Sequence, residues 1–137
     1  MTISGTRTAA GPRRHTVHPA AYWAATGLFC AIFAGSVVLT FGDLDETYRV
    51  TAALGYPAFT VLPLGVAKVL GLVAILSRRS PLLTGLAFAG FFYDTALALL
   101  AHLVQRDLPN IALATTGMLA TVAAWWVHQR RYPPDHA

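Results

Sequence analysis

Charge is scarce in this chain, and cysteine is nearly absent. Only 12% of the 137 residues are Asp, Glu, Lys or Arg, against 55% that are hydrophobic, and the charges avoid four long apolar stretches. A water-soluble core of this length has no room for so many large apolar side chains, whereas a bilayer solvates them where they stand. The single cysteine, Cys30, excludes an internal disulfide, Cys-x-x-Cys redox chemistry and a thiolate metal site, and it reads as a small hydrophobe within the first apolar run. The net charge of +4 is laid out as short arginine clusters at the ends of apolar runs. No basic face is interleaved with aromatic residues, which argues against nucleic acid.

Two targeting signals are hinted at and set aside. Gly27-Leu28-Phe29-Cys30 has the outline of a lipoprotein cleavage site, but bulky Phe29 stands where a small residue belongs and apolar sequence continues beyond it. Arg13-Arg14 has the outline of a twin-arginine export signal. The apolar run that follows, Ala21 to Phe41, is too long for a signal-peptide core and has no Ala-x-Ala exit, so it is expected to be retained.

The chain reads as one all-α domain, a bundle of four transmembrane helices. The first helix is expected from about Ala21 to Phe41, opening with the interfacial aromatics Tyr22 and Trp23. Asp43 to Leu54 has acids at its start and apolar residues at helical spacing, which suits a short helix lying at the interface. Gly55-Tyr56-Pro57 turns the chain back into a second span, about Pro57 to Leu76. The tight connection Ser77 to Pro81 sets the third span, about Leu82 to Val104, antiparallel beside the second, and a fourth runs from about Asn110 to Val127. Gly27, Gly35, Gly65, Gly71, Gly85, Gly90 and Gly117 are expected to permit close helix contact. Residues 1–19 and 129–137 are expected to be tails around a transmembrane domain of residues 20–128. Arg7, Arg13, Arg14, Arg78, Arg79, Arg130 and Arg131 fall on one side of the membrane. The other side holds Arg49 and Arg106 with Asp43, Asp45, Glu46 and Asp107, so both termini are expected in the cytoplasm.

Two residues interrupt the apolar pattern. Lys68 and Asp94 each lie near the middle of a span, where an unpaired charge costs about 3 kcal/mol. Counted from Arg78-Arg79, their depths differ by about 7 Å at a rise of ~1.5 Å per residue. Side chains lean toward the N-terminus of their own helix, so on antiparallel neighbours these two converge. They are expected to form an ion pair, or to share a small wet cavity, inside the bundle; whether that pair locks two helices together or serves chemistry is left open. His102 lies roughly 12 Å nearer the acidic side and turned by about 80° from Asp94, so it either touches the same cavity or sits at the interface. Tyr93 points about 100° away from Asp94 and suits packing more than catalysis. Glu46, with Tyr48 and Arg49, forms either a solvated loop or a lid over the cavity mouth. His15, His18, His128 and His136 are expected in tails or at the surface, so no histidine pair is placed to hold a haem, and no metal site is evident.

Several motifs together resemble the DoxX-like family of small membrane proteins. They are Tyr22-Trp23 with Thr26-Gly27, Leu54-Gly55-Tyr56-Pro57, Gly65-x-x-Lys68-x-x-Gly71, and Ala87-x-Ala89-Gly90-x-Phe92-x-Asp94 followed by Ala98 and His102. The resemblance covers most of the chain between Tyr22 and Trp126 and implies a four-helix bundle in the cytoplasmic membrane, with Lys68 and Asp94 at recurring positions. It does not deliver a function, because relatives include a subunit of a thiosulfate:quinone oxidoreductase, accessory subunits and membrane chaperones. One departure matters. The family often has Glu-Trp near the start of the third helix, where this chain has Thr84-Gly85.

Two function classes remain open at this point. The first is a binding or accessory protein that holds a lipophilic small molecule or a partner subunit around the Lys68 and Asp94 pair, with Tyr93, His102 and Glu46 as further candidate contacts. The second is an enzyme acting on a membrane-dissolved substrate, such as a quinone or an isoprenoid-like epoxide or alkene. There Asp94 would move the proton, Lys68 would tune it or steady an oxyanion, and His102 would assist. A quinone is a candidate ligand, no cofactor is assigned, and a homo-oligomer is among the expected assemblies. A channel fits poorly, since four helices with one polar pair give little pore lining.

Overall fold

A computed structural model describes residues 17–133. The expected amino-terminal tail lies almost wholly outside the described residues, as do residues 134–137 of the carboxy-terminal one. The elements are α1 (Pro19–Gly42), α2 (Leu44–Ala53), a single 3-10 turn (Ala58–Thr60), α3 (Val61–Ser77), α4 (Pro81–Gln105) and α5 (Leu108–Arg131). Among the described residues, four helical units, with Ala58–Ser77 counted as one, are long and apolar enough to cross a membrane.

Local chemistry marks the helix ends. Each long helix has a proline in its first turn, Pro19, Pro63, Pro81 or Pro109, where the missing N–H is no loss. Ser80 Oγ accepts from the Leu83 N–H at 3.3 Å, and Asp43 Oδ1 accepts from the Glu46 N–H at 3.0 Å, so α4 and α2 begin with capped donors. At the other ends, Arg78 (φ 52°) and Arg106 (φ 58°) adopt the left-handed conformation that closes α3 and α4. Both tight interhelical connections turn on these arginines.

The four spans stand in the cyclic order α1, α3, α4, α5, each touching its neighbours, with α1 opposite α4 and α3 opposite α5 on the diagonals. Aromatic rings fill the centre. Phe29 and Phe33 of α1 reach Phe88 and Phe91 of α4 across one diagonal, with ring centroids 4.4 Å apart for Phe33 and Phe91 and 5.5 Å for Phe29 and Phe88. Ile75 and Ala124 complete this buried cluster. Outside it the usual polarity is reversed: Leu39, Phe59 and Val104 are each more than three-quarters exposed, an arrangement that is stable only if hydrocarbon surrounds the bundle. The protein is a multi-pass membrane protein.

Two expectations need correction here. Helix α5 does not stop at about Val127 but continues one further turn to Arg131. The seven glycines also divide. A Cβ on Gly65 would lie 2.8 Å from the Phe41 ring, one on Gly71 2.8 Å from the Phe91 ring, and one on Gly117 3.2 Å from the Thr95 methyl, so these three do permit close approach. Gly27, Gly35, Gly85 and Gly90 face open space. They lie on outward faces of their helices, and composition alone does not say which way a helix is turned.

Candidate functional site

Lys68 stands seven residues into α3 and nine from its end, and Asp94 thirteen residues into α4 and eleven from its end. Both are therefore at mid-span. The Lys68 ammonium lies 3.1 Å from Asp94 Oδ2 and 3.4 Å from the hydroxyl of Ser36 on α1, to which it donates. Three helices thus meet at one ammonium group. At a separation near 4 Å and the effective dielectric of a partly solvated protein, opposite charges attract by about 4 kcal/mol, which is the order needed to offset placing them in hydrocarbon.

The expected ion pair forms, and it is only partly covered. Its side chains retain 14% and 15% of their exposure, and both line a groove of about 880 Å³ between α3 and α4. Gly71, Ala87, Gly90 and Phe91 contribute to its walls, and Arg79 lies at its far end, just past the cap of α3. The exposed side chains Leu70, Val73, Leu83 and Leu86 belong to the same groove, so it opens sideways, toward the lipid. Gly71 draws the Phe91 ring close to α3, while Gly90 leaves a gap in the opposite wall.

The other candidates stand apart from this groove. His102 Nδ1 lies 3.4 Å from Asp107 Oδ2 at the turn between α4 and α5, close enough for a charge contact but without the direction of a hydrogen bond, so that nitrogen has no hydrogen-bond partner. Asp107 itself accepts from the Asn110 amide at 2.6 Å, and this bond, with His102 adding a smaller effect, holds its carboxyl below the ordinary value. Tyr93 is two-thirds exposed and turned to the opposite side of α4, edge-on to Phe92, in a separate groove against α5. Glu46 is bound within its own helix to Arg49, at 2.7 Å from Nε, and both side chains are exposed. That bond holds the Glu46 carboxyl below its usual range. Helix α2 contributes no side chain to the α3/α4 groove.

Four residues were missed or misplaced in the sequence reading. Ser36 was hidden in an apolar run, although a hydroxyl among Gly35, Val37 and Val38 was a signal that something polar faces it. Tyr56 donates to the Leu97 carbonyl at 3.2 Å, and Gln105 to the Ala53 carbonyl at 2.6 Å, so the end of α2 and the turn after it are tied to the second half of α4. His128 is not at the surface: it is half-buried among Tyr22, Phe88 and Tyr132, with ring centroids 6.3, 5.6 and 5.3 Å away. It continues the stripe Gly117, Thr121, Ala124 that α5 turns inward. Of the other histidines, His18 accepts from the Ala20 N–H at the start of α1, while His15 and His136 lie outside the described residues.

An all-helical, multi-pass membrane protein with a charged pair at mid-span and little other polar chemistry defines the class. The family model of the DoxX-like family matches residues 24–125, and the chain belongs to that family. Comparison with curated proteins finds no match, and comparison with solved structures finds none either.

Proposed function

We propose that the protein binds a lipophilic small molecule in the α3/α4 groove, with Lys68 and Asp94 as its polar contact. One observation carries this reading: the ion pair, at mid-span, lines a groove that opens sideways to the hydrocarbon. A lateral opening admits a ligand already dissolved in the membrane. Lysine donates and aspartate accepts, so a carbonyl, hydroxyl or quinone oxygen is the kind of group the site would select over bulk acyl chains. The arginine-rich end then faces the cytoplasm, and the membrane is the cytoplasmic one.

The test uses decylbenzoquinone and decane as probes with the purified protein in detergent. The quinone raises the melting temperature and decane does not, and a Gly90→Leu variant, whose side chain would enter open space, abolishes the shift while remaining folded. Equal shifts with both probes, or an unaltered shift in the variant, would overturn the reading.

The second reading, an enzyme, is favoured by the same lateral access to Asp94. Its carboxyl sits where a membrane-dissolved substrate would meet it, with the Lys68 ammonium beside it.

A further inference from the structure

The arginine-rich end of the bundle carries a second polar cavity that the groove described above does not use. It has a volume of about 220 Å³ and is lined by Arg78, Thr84, His128, Gln129 and Tyr132. Arg78 donates to the Tyr132 hydroxyl and its guanidinium carbon lies 5.2 Å from the centre of that ring, while the Arg131 guanidinium lies 5.9 Å from the Tyr22 ring. Arg79 and Arg130 stand at the same end. Among the described residues every carboxylate is elsewhere: Asp43, Asp45, Glu46 and Asp107 at the opposite end and Asp94 at mid-span. His128 Nδ1 is buried without a hydrogen-bond partner. The cavity also borders the first turn of α4, a helix of 25 residues whose N-terminal dipole favours negative charge.

The cavity continues into the membrane. Gly85, Phe88 and Trp125 line it and also line an apolar groove of about 350 Å³ that follows the α4/α5 face past Ala89 and Val122. From Gly85 to Tyr93 this groove descends about 12 Å at the helical rise. A cationic, hydrogen-bonding cavity at the surface joined to an apolar trough at hydrocarbon depth has the polarity of one amphiphile. We propose that the α4/α5 face is a binding site for a single anionic phospholipid, its phosphate held by Arg78 and His128 and one acyl chain laid along the trough. Free phosphate would use only the upper half. A zwitterionic lipid would bring its own cation to a site already positive.

The site lies on the far side of α4 from the Lys68 and Asp94 pair and does not depend on the ligand proposed there. Native mass spectrometry of the full chain in detergent, with dioleoylphosphatidylglycerol, dioleoylphosphatidylcholine or glycerol phosphate added, tests it. The phosphatidylglycerol is retained about fivefold more tightly than the phosphatidylcholine, the effect expected of one surface cation, and glycerol phosphate is not retained. Arg78→Gln removes the preference. Because that change also breaks the Tyr132 contact, Gly85→Leu serves as the second variant: its new side chain meets open space in the protein and blocks the junction of cavity and trough, so retention falls while the fold persists. Asp135, two residues past the last described position, is tested as Asp135→Asn. Equal retention of both lipids, retention of glycerol phosphate as strong as that of lipid, unchanged lipid retention in both R78Q and G85L, or lipid binding that appears only in D135N would each overturn the proposal.

Discussion

Lys68 and Asp94 meet from antiparallel helices, nitrogen and oxygen 3.1 Å apart, and Lys68 is the only lysine in the chain. Nine arginines serve every other cationic position, all of them outside the middle of the spans. A flexible stem with a compact ammonium is what can swing between Ser36 and Asp94; a rigid guanidinium fork is not.

The pair predicts a thermodynamic cycle. Lys68→Met or Asp94→Leu alone leaves one unpaired ionisable group at mid-span and costs about 3 kcal/mol, read as a lower melting temperature in detergent. The double variant replaces the pair with apolar groups of similar volume and returns to within about 1 kcal/mol of the parent. Additive losses in the double variant would show that the two side chains are not energetically coupled.

Gly71 and Gly90 predict opposite outcomes on the two walls of one groove. Gly71→Leu forces a side chain against the Phe91 ring, where even a Cβ would lie at 2.8 Å, and overpacking of this kind costs about 1–3 kcal/mol. Gly90→Leu meets nothing within 4 Å and leaves the melting temperature unchanged. Comparable destabilisation of both variants in a thermal scan contradicts the groove geometry.

How far the sequence carried the account follows from which quantity each feature depends on. Apolar run length and Gly or Pro at its ends set the spans, so α1, α3 and α4 begin and end within a few residues of expectation and the short α2 is where its acids and spacing put it. Depth was also legible, because residues are counted along a helix of known rise, and this brought Lys68 and Asp94 together on paper. Rotation about the helix axis was not. With apolar residues on every side of each span, no amphipathic stripe says which face meets a neighbour and which meets lipid. Gly85 and Gly90, Ser36 and the inward turn of His128 were misplaced or overlooked for that one reason, and so was the opening of the pair onto a lipid-facing groove.

Asp107 predicts an acid limit at one end of the bundle. Its carboxyl is held below the ordinary value of 3.8, first by Asn110 and in smaller part by His102. A depressed carboxyl contributes stability that is complete above the unfolded value and disappears as pH falls through the folded one. Hydrogen exchange in the turn between α4 and α5 therefore stays slow down to the ordinary carboxylate range and speeds up below it. In Asn110→Ala exchange in this turn is already faster at neutral pH and its further acceleration in acid is smaller; an identical pH profile in that variant contradicts the assignment.

Topology is checked with single cysteines in a Cys30→Ser background. A cysteine at Asp45 reacts with a membrane-impermeant maleimide applied to intact cells, and one at Ser80 reacts only after the cells are opened. The reverse pattern would place the arginine-rich end outside.

Asp94→Asn separates a binder from an enzyme. A binding protein keeps part of its affinity for a carbonyl-bearing probe, because the Lys68 donor remains, whereas an enzyme using Asp94 as base loses turnover by about 10²-fold or more while still inserting and folding.

The most direct measurement is photo-crosslinking with a decyl chain bearing a benzophenone, whose ketone is both the polar group and the reactive one, in membranes containing the full protein. Adducts should concentrate on Gly71, Ala87 and Phe91 beside Lys68 and Asp94, and should vanish in the Lys68→Met, Asp94→Leu double variant. Labels spread evenly over lipid-facing residues such as Leu39 and Val104, and unaltered in that variant, would contradict a ligand site at the pair.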